Sequence, residues 1–183
     1  MTGRLATLTG DFLAQSPLRH GPFRVFYVGA IGAALGYTMQ TTVAAWLMAT
    51  LTPSAVMVAL VQTASTAPAL LFGLFAGAMA DIVDRRKVIV ATQVVLVAAS
   101  ALLGVAAIAG WVGPAMLLAM TFVVGAGFAF YQPAQQASVN DRGARAEMPQ
   151  AVSLNAVGFN VSRAIGPAIA GAPVAGTSRR LPL

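Results

Sequence analysis

The stretch GAMADIVDRRKV, residues 77–88, decides how the chain is to be read. Asp81, Asp84, Arg85, Arg86 and Lys87 crowd into it, yet apolar runs flank it on both sides. Charge is scarce everywhere else. Only 9% of the 183 residues are Asp, Glu, Lys or Arg, against roughly 25% in an ordinary soluble domain. Another 58% are hydrophobic and the mean hydropathy is +0.79. So few charges cannot cover the surface of a water-soluble fold of this length, which makes lipid the solvent for most of the chain.

Working outward from the knot, apolar runs occupy residues 25–50, 55–80, 88–110, 115–136 and 151–172. Each exceeds the roughly 18 residues at which an apolar run reads as a membrane helix, and none alternates as a half-buried strand does. The expected fold is therefore an all-α integral membrane protein with five transmembrane helices. Residues 1–24 form a lead without the apolar core and cleavage site of a signal peptide, and residues 173–183 form a tail of different character. A soluble helical bundle is the alternative; it fails because the first four runs have no polar face.

The basic residues orient these helices. Arg4, Arg19 and Arg24 precede the first, Arg85, Arg86 and Lys87 lie between the second and third, and Arg142 and Arg145 lie between the fourth and fifth. The alternate loops, ATLTPSA and GWVGPA, carry no charge. By the positive-inside rule the N-terminus and both charged loops are cytoplasmic.

Several classes of function fall away. The net charge of +6 comes from short clusters between apolar runs and not from a basic face, so nucleic acid is not an expected partner. Cysteine is absent and the single histidine, His20, lies in the lead. Neither HExxH nor a P-loop occurs, and no Ser or Asp catalytic pairing lies within the runs, so no enzyme, metal site or cofactor is expected.

Small residues recur at intervals of four along three runs: Gly32, Gly36, Gln40 and Ala44; Ser65, Ala69, Gly73 and Gly77; Gly158, Ser162, Gly166 and Ala170. Such faces let helix backbones approach closely in lipid. One turn beyond Gly77, the carboxylate of Asp81 is placed to cap a helix or to pair with a cation. Arg163 is the one charge inside a run, at an insertion cost of about 2.5–3.5 kcal/mol. It needs a carbonyl, a water-filled cavity or an anionic partner. Tyr37, Gln40 and Gln132 are candidate cavity residues, or else interhelical hydrogen-bonding groups.

The knot resembles the motif between helices two and three of the major facilitator superfamily, and SRAIGPAIAG resembles its helix-five Gly-Pro motif. PLRHGPFRVFYVG, AAWLMATLTPSA, QTASTAPALLFGLFAG, YQPAQQASV and AVSLNAVGFNVSRAIGPAIAG, in order, are similar to the transmembrane secretion effector branch, which includes enterobactin exporters. The resemblance implies helices 1–5 of that fold and secondary-active efflux of a drug or siderophore by alternating access. It puts Gly77, Asp81, Asp84, Arg85 and Arg86 on a cytoplasmic gating motif and Gly166 and Pro167 on the pivot of helix five. It implies a bacterial inner-membrane location.

The chain departs from the superfamily in three ways. No Asp or Glu lies within any run, so proton coupling is implied by resemblance only. Gln40 stands where antiporters of the superfamily often carry Asp, and the fourth run lacks an Arg. The sequence stops after five runs, with Arg179 and Arg180 on the side the charge rule makes outer, which reads as truncation or a frameshift. The expected partners are membrane lipid, a small-molecule substrate, and a second transporter half or second copy. The competing reading is a membrane fragment or assembly partner that transports nothing.

Overall fold

The computed structural model describes residues 17–142 and 148–178. After a 3-10 turn at Pro17–Arg19 come five helices: α1 (Gly21–Leu51), α2 (Ala55–Ile82), α3 (Arg85–Ile108), α4 (Pro114–Arg142) and α5 (Met148–Ser178). They follow the apolar runs in order and overrun them mainly at the charged ends. Backbone hydrogen bonding does not stop where hydrocarbon stops, and polar residues carry a helix on into the headgroup region. Part of the tail expected to begin at residue 173 likewise continues α5. The expectations on Arg4, Arg145, Arg179 and Arg180 lie outside the described residues.

α2, α3 and residues Pro114–Val139 of α4 are long and apolar enough to cross a membrane. α1 and α5, at 31 residues each, match them in length, but Gly, Thr and Gln40 in one and Asn, Ser and Arg163 in the other dilute their hydropathy. Hydropathy alone thus picks out three of the five expected spans.

The connections are short and chemically specified. Asp84 is the N-cap of α3, its carboxylate accepting from the Arg86 backbone N–H at 2.9 Å. At the other end of α3, Gly110 adopts φ +72°. Its N–H donates to the Ala107 carbonyl at 3.2 Å and that of Trp111 to Ala106 at 2.9 Å, a paired C-cap that favours glycine.

α4 is the central post, with α2 and α3 packed along it, while α1 pairs with α5 and touches α2 and α4. Where α2 crosses α4, Pro68 has no N–H for the Ala64 carbonyl, four residues earlier. Gly125 of α4 seats there: a Cβ on it would lie 2.6 Å from the Ser65 carbonyl oxygen. Ala44, Met48, Val61, Leu103 and Leu117 close the end near the uncharged loops. Phe23, Val139 and Ala151 close the opposite end.

The small-residue series divide. Gly158, Ser162, Gly166 and Ala170 are all buried. Gly158 meets Tyr27 and Ile31, and a Cβ on Gly166 would collide with the Thr38 side chain. Across this contact Tyr27 donates to the Leu154 carbonyl at 2.9 Å and Thr38 to that of Ser162 at 3.2 Å. The other two series form the expected contacts only in part, through Gln40 and Ala44 of α1 and Ser65 of α2. A Cβ on Gly32, Gly36, Gly73 or Gly77 would meet nothing within 4 Å. α2 buries Val61, Ser65, Pro68, Ala76 and Ala80 instead, because the bulk of α4 and the Pro68 turn select that face, and Ser65 is the one member of its series in contact.

Candidate functional site

Two polar features stand out in this apolar bundle. The first is the turn between α2 and α3, where Asp81, Asp84, Arg85, Arg86 and Ser138 line a shallow depression. Its charges oppose the helix dipoles. A helix C-terminus favours cations and an N-terminus favours anions, by about 0.3–1 kcal/mol each. Here Asp81 sits in the last turn of α2, and Arg85, Arg86 and Lys87 form the first turn of α3.

Two side chains relieve that conflict. Asp84, not Asp81, supplies the capping carboxylate, because Asp81 is still inside α2. Arg85 reaches back, its Nε donating to the Ala80 carbonyl at 3.3 Å and its Nη1 to the Ala137 carbonyl of α4 at 3.2 Å. One guanidinium thereby covers an unsatisfied carbonyl at the end of α2 and ties it to α4. Asp81, Arg86 and Lys87 remain exposed, and Gly77 has open space beside it.

The second feature is a cavity of about 460 Å³ between α1, α4 and α5. Gln132, Gln135 and Gln136 of α4 face Asn155 and Asn160 of α5 across it. Gln135 Nε2 donates to Asn155 Oδ1 at 2.8 Å, and Asn155 Nδ2 returns a bond to Gln135 Oε1 at 3.4 Å. This reciprocal amide pair bridges helices that otherwise touch little.

Aromatic rings complete the wall. Tyr37 stacks on Phe128 with centroids 4.0 Å apart and planes 7° from parallel. Phe128 lies 6.3 Å from Phe159 at 17°, and the Arg163 guanidinium lies 5.9 Å from the Phe159 centroid. The column joins α1, α4 and α5, and Tyr37 also donates to the Ser65 carbonyl of α2 at 3.0 Å.

Of the four residues expected at a cavity, then, Gln132 lines this one, Arg163 stacks against its wall, and Tyr37 supports it from behind. Gln40 does not reach it. With Tyr37 it lines a separate groove between α1 and α3, where Ser100 Oγ donates to Gln40 Oε1 at 2.7 Å. Gly166 lies beyond the cavity, on the tight α1–α5 contact, and Pro167 beside it is exposed. Sequence reasoning passed over Gln135, Gln136, Asn155, Asn160 and the aromatic rings. The signal was present: three glutamines at i, i+3 and i+4 share one face of a helix in lipid.

Five long helices, three of them apolar enough to span hydrocarbon, make this a multi-pass membrane protein. Comparison with known proteins names the class more closely. Residues 13–179 match the transmembrane secretion effector family, of the major facilitator type, and the chain belongs to that family. Membership points to a transporter rather than an enzyme. No curated protein and no solved structure matches it.

Proposed function

We propose that this chain forms one half of a secondary-active exporter of small molecules in the bacterial inner membrane, with its N-terminus cytoplasmic. The observation that carries the reading is the cavity between α1, α4 and α5: in a chain so poor in polar groups, amide side chains converge there from two helices. Isolated amides in lipid are unfavourable, and their convergence marks a solute path. A second transporter half or a second copy supplies the facing wall and lets the cavity open alternately to each side.

The charged turn is the inner gate in this reading. Asp81, Arg86 and Lys87 stand against the local dipoles, so they are placed for something other than the stability of α2 and α3. Arg85 anchors the turn, and Asp81, exposed at its edge, is the group that engages the facing half. Gly166 lets α1 and α5 slide as the halves rock.

The test is export of a neutral fluorescent dye from cells expressing the chain alone and with a co-expressed partner half. Export above the empty-vector rate, lost in Asp81→Asn at equal protein level, supports the reading. Dye retention equal to that of empty-vector cells in every combination rules it out.

A further inference from the structure

We infer that the cavity between α1, α4 and α5 selects flat aromatic solutes that carry hydrogen-bonding groups and have no positive charge. This deepens the export reading and rests on it. Three observations combine.

The polar lining is made of amides. Each Gln or Asn offers both donors and an acceptor and no charge, so Gln132, Gln136 and Asn160 satisfy hydroxyl, amide or carbonyl groups in whichever orientation they arrive. The apolar lining is aromatic. Phe128, Tyr131 and Phe159 present rings from two helices, and a flat guest gains from offset or edge-on stacking in addition to the area it buries.

The third observation sets the sign of the charge. Arg163 holds a fixed cation against the Phe159 ring. Among the carboxylates whose side chains the structure describes, Asp81 and Asp84 both lie at the α2–α3 turn. A cationic guest would enter a space with a like charge behind the Phe159 wall, whereas an anion would be drawn toward Arg163. At an effective dielectric of about 20, a charge acting through the cavity wall disfavours a cation against a neutral guest by roughly tenfold and favours an anion by as much.

A matched set on one ring system tests this: 2-naphthamide, 2-naphthoate and 2-naphthylmethylamine, the last charged at pH 7. Binding to the purified chain in lipid nanodiscs is measured by calorimetry, with empty nanodiscs subtracted. Saturable binding of the amide and the carboxylate, with the ammonium at least about tenfold weaker, is the expected result. Arg163→Gln should shrink the carboxylate-to-ammonium ratio about a hundredfold, since the penalty on one charge and the gain of the other are both lost, and Arg163→Lys should restore it. Ammonium binding as tight as amide binding, or a ratio that Arg163→Gln leaves unmoved, overturns the selectivity alone. No saturable binding of any probe to a chain whose circular dichroism shows intact helices overturns the substrate cavity as well.

Discussion

Charges and glycines at single positions separate stability from function in this molecule. Arg85 donates to carbonyls on two helices, and hydrogen bonds from a charged donor contribute about 1.5–3 kcal/mol. Arg85→Ala should therefore lower stability by about that amount in a detergent melt. Exposed Arg86 and Lys87 should each tolerate alanine within about 0.5 kcal/mol. Asp81→Asn removes an anion from a helix C-terminus and should leave the melt unchanged or raise it by the equivalent of about 0.3–1 kcal/mol; a marked loss of stability would remove the argument that Asp81 is kept for gating. The glycines sort the same way. Gly125→Ala drives a methyl into the Ser65 backbone and should cost more than Gly166→Ala, whose obstacle is the Thr38 side chain, while Gly73→Ala meets nothing. A typical overpacking penalty is about 1–3 kcal/mol, and the expected order of melting temperatures is Gly73→Ala above Gly166→Ala above Gly125→Ala.

Among the helices, the bonding is uneven. α4 is held by α2 on one side and α3 on the other, whereas α3 has little contact with α2 and meets α1 through the Gln40–Ser100 bond. Backbone amides of α4 should exchange more slowly than those of α3 in hydrogen-exchange mass spectrometry; equal rates would mean that the central-post description is wrong. Ser100→Ala should speed exchange in α3 and leave α5 untouched, because α5 is anchored to α1 by Tyr27, Thr38 and the buried small residues. This unevenness also explains what was legible in the sequence. Apolar length gave the five helices, and a four-residue spacing of small side chains found the α5 face. The same spacing held only for Gln40 and Ala44 of α1 and Ser65 of α2, since it says which faces permit close approach and not which face a neighbour takes. Proline settled the matter for α2, by opening the turn into which Gly125 fits. The cavity was half legible: Gln132 was found, but Gln135 and Asn155 acquire meaning only when two helices face each other.

As a whole molecule, the chain presents much of its apolar surface outward. Leu70 is 88% exposed, Leu74 85% and Ile108 92%, which is tolerable in lipid and not in water. The protein should resist carbonate extraction from membranes and precipitate when detergent is withdrawn. The absence of cysteine makes topology simple to read with single substitutions. With the N-terminus cytoplasmic, Ser54→Cys and Gly113→Cys should react with an impermeant maleimide in intact cells and Lys87→Cys only after permeabilisation; the opposite pattern would invert the proposed orientation. Finally, the Gln135–Asn155 pair lies along the boundary between two tightly built pieces, one of α1 with α5 and one of α4 with α2 and α3. Interhelical polar bonds in lipid contribute about 0.6 kcal/mol on average, so this one is a latch that thermal motion lifts unaided. A guest that offers the two amides equivalent bonds can replace this one at little cost, leaving the Tyr37–Phe128 stack and the Tyr37–Ser65 bond to hold the pieces together.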